Sequence, residues 1–92
     1  MQDRDPLRIP IDGTLDLHAF APRDIPSVAE EYINVAHAAG LREVRLIHGR
    51  GLGVQRGIVQ KMLEQHPLVL EFLDDPASHL GATIAILKPQ LR

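Results

Sequence analysis

Apolar residues change their spacing along this 92-residue chain in steps, and each step marks an element. Leu7, Ile9 and Ile11 alternate with Arg8, Pro10 and Asp12, a period of two, but Pro10 confines such a segment to an edge position. Residues 1–12 therefore read as a tail or edge segment, and Gly13 breaks the pattern. Thr14 to His18 form a short strand with Leu15 and Leu17 on one face. After a loop with two prolines, Asp24 is placed to cap a helix whose first turn accommodates Pro26. Ile25, Val28, Ala29, Tyr32, Val35 or Ala36, and Ala39 recur every three or four residues, and Gly40 stands where a helix ends. Val44 to Ile47 form a second strand. A loop with Gly49, Gly51 and Gly53 leads into a second helix, Val54 to Gln65, with a stripe of Val54, Ile58, Met62 and Leu63, closed by Pro67. Leu68 to Leu73 and Ala82 to Leu87 read as strands flanking a turn-rich loop.

The resulting order is βαβαββ. Strand–helix–strand units favour parallel strands joined by right-handed crossovers, whereas the short link between the last two strands suits an antiparallel pair. The expected fold is α/β, an α+β two-layer sandwich with a four-stranded mixed sheet and two helices. Its single domain covers residues 13–92. With Phe20, Tyr32 and Phe72 as the only aromatics, the core must be mainly aliphatic.

The absence of cysteine removes disulfides, thiolate metal sites and thiol nucleophiles. No apolar run reaches the roughly 20 residues needed to span a bilayer, so no membrane partner is expected and a soluble cytoplasmic protein is the default. The net charge of −2 is not that of a general nucleic-acid binder, but its distribution matters more. Arg42, Arg45, Arg50, Arg56 and Lys61 face only Glu43 within residues 42–61. Such a local basic region is able to meet phosphate.

His18 and His48 end the two parallel strands, and ligands of open α/β sheets bind outside the carboxyl ends of strands. Asp16 shares a strand face with His18. These three form a candidate acid–base or metal-ligand set, because imidazole changes charge near neutral pH. Two surface histidines with a locally bonded Asp16 are the structural alternative. The Gly49–Arg50–Gly51–Leu52–Gly53 loop opens a helix, where close backbone approach and the helix terminus favour an anion, with Arg50 and Arg56 supplying charge. It lacks both the Walker ending and the full dinucleotide fingerprint. His37 and His66 are expected exposed at helix ends. Asp74 and Asp75 read as a solvated turn, and His79 reaches the site only if its loop folds over it.

Taken together, Leu15-Asp16-Leu17-His18, His48-Gly49-Arg50-Gly51 and Gly81-Ala82-Thr83-Ile84 resemble, in order and spacing, the three signatures of the Smr (small MutS-related) domains. The resemblance covers about residues 14–88. It implies the fold shared with the C-terminal domain of translation initiation factor three. It further implies a nicking endonuclease acting on DNA and/or RNA, usually with Mg²⁺ or Mn²⁺, and no organic cofactor. Asp16, His18 and His48 would be catalytic, with Asp16 and His18 the best metal candidates; Gly49, Arg50, Gly51, Gly53 and Arg56 would bind phosphate. A non-catalytic module for branched or single-stranded nucleic acid, or a protein-interaction domain, is the alternative. The family usually has glycine where Ala19 follows the first histidine. Oligomeric state is not readable.

Overall fold

The computed structural model describes residues 11–51 and 53–90. Residues 1–10, which carry most of the expected edge segment (Leu7, Ile9 and Pro10), lie outside the described residues, as does Leu52. Six main elements follow in the order β1 (Thr14–Asp16), α1 (Ile25–Ala38), β2 (Glu43–Ile47), α2 (Val54–Gln65), β3 (Val69–Asp74) and β4 (Ala82–Leu87). A one-turn 3-10 helix, Pro22–Asp24, leads into α1.

The sheet order is β1-β2-β4-β3. β1 and β2 are parallel, and β4 runs antiparallel to both β2 and β3. The last strand is therefore inserted between two strands that the chain laid down earlier. The crossovers β1–α1–β2 and β2–α2–β3 step in the same direction across the sheet, so right-handed connections put both helices on one face. The carboxyl ends of β1, β2 and β3 and the start of β4 consequently meet at one edge, which is where the candidate residues lie.

The helix-facing side is the core. Leu15, Val44, Leu46, Ala85 and Leu87 from the strands pack with Ile25, Ala29, Ile33, Ala36, Val59 and Leu63 from the helices. Tyr32 is the one aromatic fully enclosed among them, and its hydroxyl accepts from the Gly13 amide at 3.0 Å. Of the helix stripes read from periodicity, α1 uses Ala36 rather than Val35, adds Ile33 and leaves Ala39 exposed, and α2 departs at its first position. Ile33 and Ala36 are buried where Val35 is 38% exposed, and Val59 replaces Val54, which is 61% exposed. Val54 begins its helix at the edge of the sheet, beyond the reach of the core.

Helix ends follow local chemistry. Asp24 stands at the start of α1 but its side chain caps nothing, because the preceding 3-10 turn leaves it in helical rather than extended geometry. Gly40 has φ +89°, and the Gly40 and Leu41 amides donate to His37 and Ala36, closing α1 in a Schellman motif. On β3, register slips between Val69 and Glu71, which makes Leu70 an extra, exposed residue on an edge strand. Bulges of this kind discourage pairing with other sheets.

Candidate active site

Asp16 and His18 leave β1 as a unit. The Leu17 amide still bonds Ile47 of β2 at 2.7 Å, and the Phe20 amide then turns back to Leu17 at 3.0 Å. His18 and Ala19 are the two central residues of that turn. Asp16 Oδ1 accepts from the His18 backbone amide at 3.1 Å and from the His18 ring at Nδ1. A carboxylate oxygen can only accept, so Nδ1 carries the hydrogen and Nε2 is left as the basic lone pair. The same hydrogen bond holds the Asp16 carboxyl below its ordinary pKa. Both side chains are more than half exposed, so the dyad opens to solvent.

His48 is placed differently. It is 1% exposed. Its Nδ1 lies 3.1 Å from the Gly49 carbonyl and its Nε2 2.9 Å from Thr83 Oγ1. The carbonyl requires a hydrogen on Nδ1, so Nε2 accepts from the Thr83 hydroxyl. That hydroxyl in turn accepts from Gln60 Nε2 at 3.1 Å. Gln60 Nε2 also donates to Asp74 Oδ1 at 3.1 Å, and Asp74 takes both the Nε and one Nη hydrogen of Arg56 at 2.8 and 2.7 Å. Burial pushes the His48 pKa down, which matches a neutral ring with both nitrogens engaged. Arg56 thus serves β3 rather than the cleft.

The loop after His48 is fastened to β4. The amides of His48 and Gly49 both donate to the Gly81 carbonyl, at 3.0 and 2.9 Å. Gly49 has φ +83°, and a Cβ there would stand 3.7 Å from the His18 Cβ, so the two strand ends lie in contact. Gly53, at φ +84°, precedes α2 and supplies no side-chain cap to its first-turn amides. A cleft of about 350 Å³ is lined by His18, Pro22, His48, Gly49, Arg50, Gly51, Gly53, Val54 and Gln55. The structure therefore brings together an exposed His–Asp pair, an exposed arginine and an uncapped helix terminus. Among the described residues no three His, Asp or Glu side chains gather as a metal cage.

Over residues 15–88 the sequence matches the family model of the Smr domain. The chain belongs to the Smr domain family. It is 36% identical over 80 residues to the endonuclease MutS2 of Caldicellulosiruptor saccharolyticus, covering 85% of this chain and 10% of that protein. The Helicobacter pylori endonuclease MutS2 is 31% identical over 74 residues, again 10% of its length. The chain thus spans about a tenth of the curated relatives it matches. Among solved structures, the Smr domain of Thermus thermophilus MutS2 superposes with a TM-score of 0.79 at 28% identity, covering 83% of this chain and 98% of that one. YdaL, a stand-alone small MutS-related protein from Escherichia coli, has the same fold, with a TM-score of 0.78 at 24% identity over 90% of this chain and 70% of that one.

Within this Smr domain, Ala19 replaces the customary glycine without strain: among the described residues, only His79 and Leu80 are non-glycines at positive φ. Sequence reasoning missed Thr83 as the partner of His48 and Gln60 as the partner of Thr83, because these contacts join residues 35 and 23 positions apart. It also took Asp74 and Asp75 for a solvated turn. Each is instead held by an arginine, Asp74 by Arg56 and Asp75 by Arg45, and both carboxyls are lowered in pKa by those bonds. His66, expected exposed, is 8% exposed, accepts from the Leu68 amide at Nδ1 and is pushed down in pKa by burial. No helix of the described residues is long and apolar enough to cross a membrane.

Proposed function

We propose that this Smr domain is a phosphodiester-cleaving endonuclease whose base is His18. The observation that carries the reading is His18, bonded to Asp16, lining a cleft shared with Arg50 and the α2 terminus. Asp16 fixes the ring with Nδ1 protonated, and Nε2 takes a proton from water or, on RNA, from a ribose hydroxyl. Arg50 and the first-turn amides of α2 hold the phosphate, where forked donors and the helix terminus favour negative charge. His48 acts as a positioning residue: through Thr83 and the Gly81 carbonyl it sets the path of the loop that carries Arg50.

In place of its role as base, His18 Nε2 would join Asp16 as a donor to Mg²⁺ or Mn²⁺. Two protein donors would leave the rest of the shell to water and substrate phosphate, a common arrangement for magnesium. A bound cation would add charge stabilisation at the phosphate; the steps above are those of the chain's own residues.

The test is cleavage of supercoiled plasmid and of structured RNA by wild type, Asp16→Asn and His18→Ala, each with Mg²⁺, Mn²⁺ or chelator. Asp16→Asn keeps the shape but reverses the hydrogen-bond logic at Nδ1. It is expected to lower the rate by about 10²- to 10⁴-fold while leaving thermal stability unchanged. Equal rates in all three proteins would sink the assignment. Binding without cleavage would make the domain a recognition module.

A further inference from the structure

A second cavity, of about 410 Å³, adjoins the cleft and shares Gly49 and Arg50 with it. Its floor is the open face of the sheet, where Ile47 of β2 pairs in register with Ala82 of β4. Its rim carries Arg45, Arg50 and His79. The walls are fixed from below. Arg45 is held by buried Asp75, and Ser78 Oγ donates to the Asp75 carbonyl at 2.8 Å. Consecutive left-handed residues, His79 at φ 54° and Leu80 at φ 71°, then turn the chain and leave His79 at the cavity. The Arg50 stem lies against Gly81, where an added Cβ would come within 3.2 Å of its Cγ. Arg50 is therefore seated on the ridge between the two cavities.

A volume of this size, with a small apolar floor and the Arg50 guanidinium at its rim, suits a small planar group attached to a phosphate. No Phe, Tyr or Trp lines the cavity, but imidazole and guanidinium planes both stack on nucleobases. We propose that this cavity is a nucleoside subsite that receives one unpaired base, stacked between His79 and Arg50, from the strand whose phosphate sits at His18. The proposal rests on the reading of the cleft as a nucleic-acid site and adds what the neighbouring nucleotide must be. A base inside a duplex is stacked and paired, so only an extruded or unpaired one enters. His79 is then a specificity-determining residue that the acid–base chemistry does not use.

The experiment uses a hairpin duplex with one bulged 2-aminopurine nucleotide, made in DNA and in RNA, beside the same hairpins with the bulge abasic. Wild type is expected to bind the bulged base about tenfold more tightly than the abasic control and to change its fluorescence on stacking. His79→Gly, which relieves the left-handed backbone, should erase that difference without lowering the melting temperature; His79→Tyr should keep it. The arm that shows the difference, deoxyribose or ribose, identifies the source of the nucleoside. Equal binding of base and abasic hairpins, or a difference untouched in His79→Gly, overturns the subsite while leaving the cleft reading intact. Failure to bind any hairpin overturns the cleft reading and the subsite with it.

Discussion

Thr83→Val is the most revealing single change in this domain. Threonine and valine have nearly the same shape, and Thr83 is fully buried, so the substitution removes one hydroxyl and little else. That hydroxyl serves two partners: it donates to His48 Nε2 and accepts from Gln60 Nε2. Gln60 is half-buried and retains Asp74, so it is left with a partner. His48 is not, because its other nitrogen already faces the Gly49 carbonyl and the ring is sealed from water. Leaving such a group unsatisfied costs about 1–3 kcal/mol. In a domain of this size 2 kcal/mol corresponds to a melting temperature lower by about 8–16 °C. The assay is chemical and thermal unfolding of Thr83→Val, His48→Phe and the double variant. Once the ring is also apolar, the orphaned group disappears, so the double variant should be more stable than the sum of the singles by about 1 kcal/mol. A Thr83→Val protein within about 0.5 kcal/mol of wild type would refute the view that His48 is held neutral and structural by this chain of bonds.

Arg50→Ala is expected to weaken nucleic-acid binding and to flatten its salt dependence by roughly one phosphate contact, with no loss of stability. Binding measured across a salt series, with calorimetry alongside, checks this, and an unchanged slope counts against Arg50 as a phosphate ligand. Stability should also fall with acid in two stages. His48 and His66 are held below the ordinary histidine value of 6.5, so the unfolded chain binds more protons than the fold as pH drops through 6.5. Their share of stability is complete above that pH and is lost progressively below it. Asp74 and Asp75 lie below their ordinary 3.8, so the stability they add is present above 3.8 and is lost as pH falls through their lowered values. A melting temperature that stays constant from about pH 7 to pH 5 would contradict the first stage.

The parts of this molecule that local chemistry governs were legible in the sequence. α2 begins and ends where its Gly53 and Pro67 flanks predict, and Gly40 closes α1 through the left-handed turn its missing side chain permits. The shared edge of the sheet followed from two strand–helix units and the handedness of their connections. What depended on distant partners was hidden. β4 pairs with β3 across a short link, but its pairing with β2 joins strands far apart in the chain, and no periodicity encodes it. His18 and His48 look equivalent as strand-end histidines, but one meets Asp16 two residues away and the other meets Thr83 in the last strand. Arg56 belongs to the basic run by sequence and to Asp74 by geometry. Patterns of charge reveal which residues are polar, not which of them already have a partner.

The central position of β4 also has a consequence for how the domain comes into being. Until residues 81–87 are in place, β2 and β3 have no neighbour between them, the amides of His48 and Gly49 have no acceptor, and the His48 ring has no Thr83. The contacts of β4 and Gly81 with β2, His48 and Gly49 join residues far apart in the chain, which are slow to find each other because a long loop must close before any contact rewards it. During synthesis Asp16 and His18 emerge early and are able to bond at once, being neighbours in sequence. The loop that carries Arg50 stays unanchored until the final strand arrives. The domain therefore carries its own timing: the Asp16–His18 pair is made first, and the loop of Arg50 is anchored last.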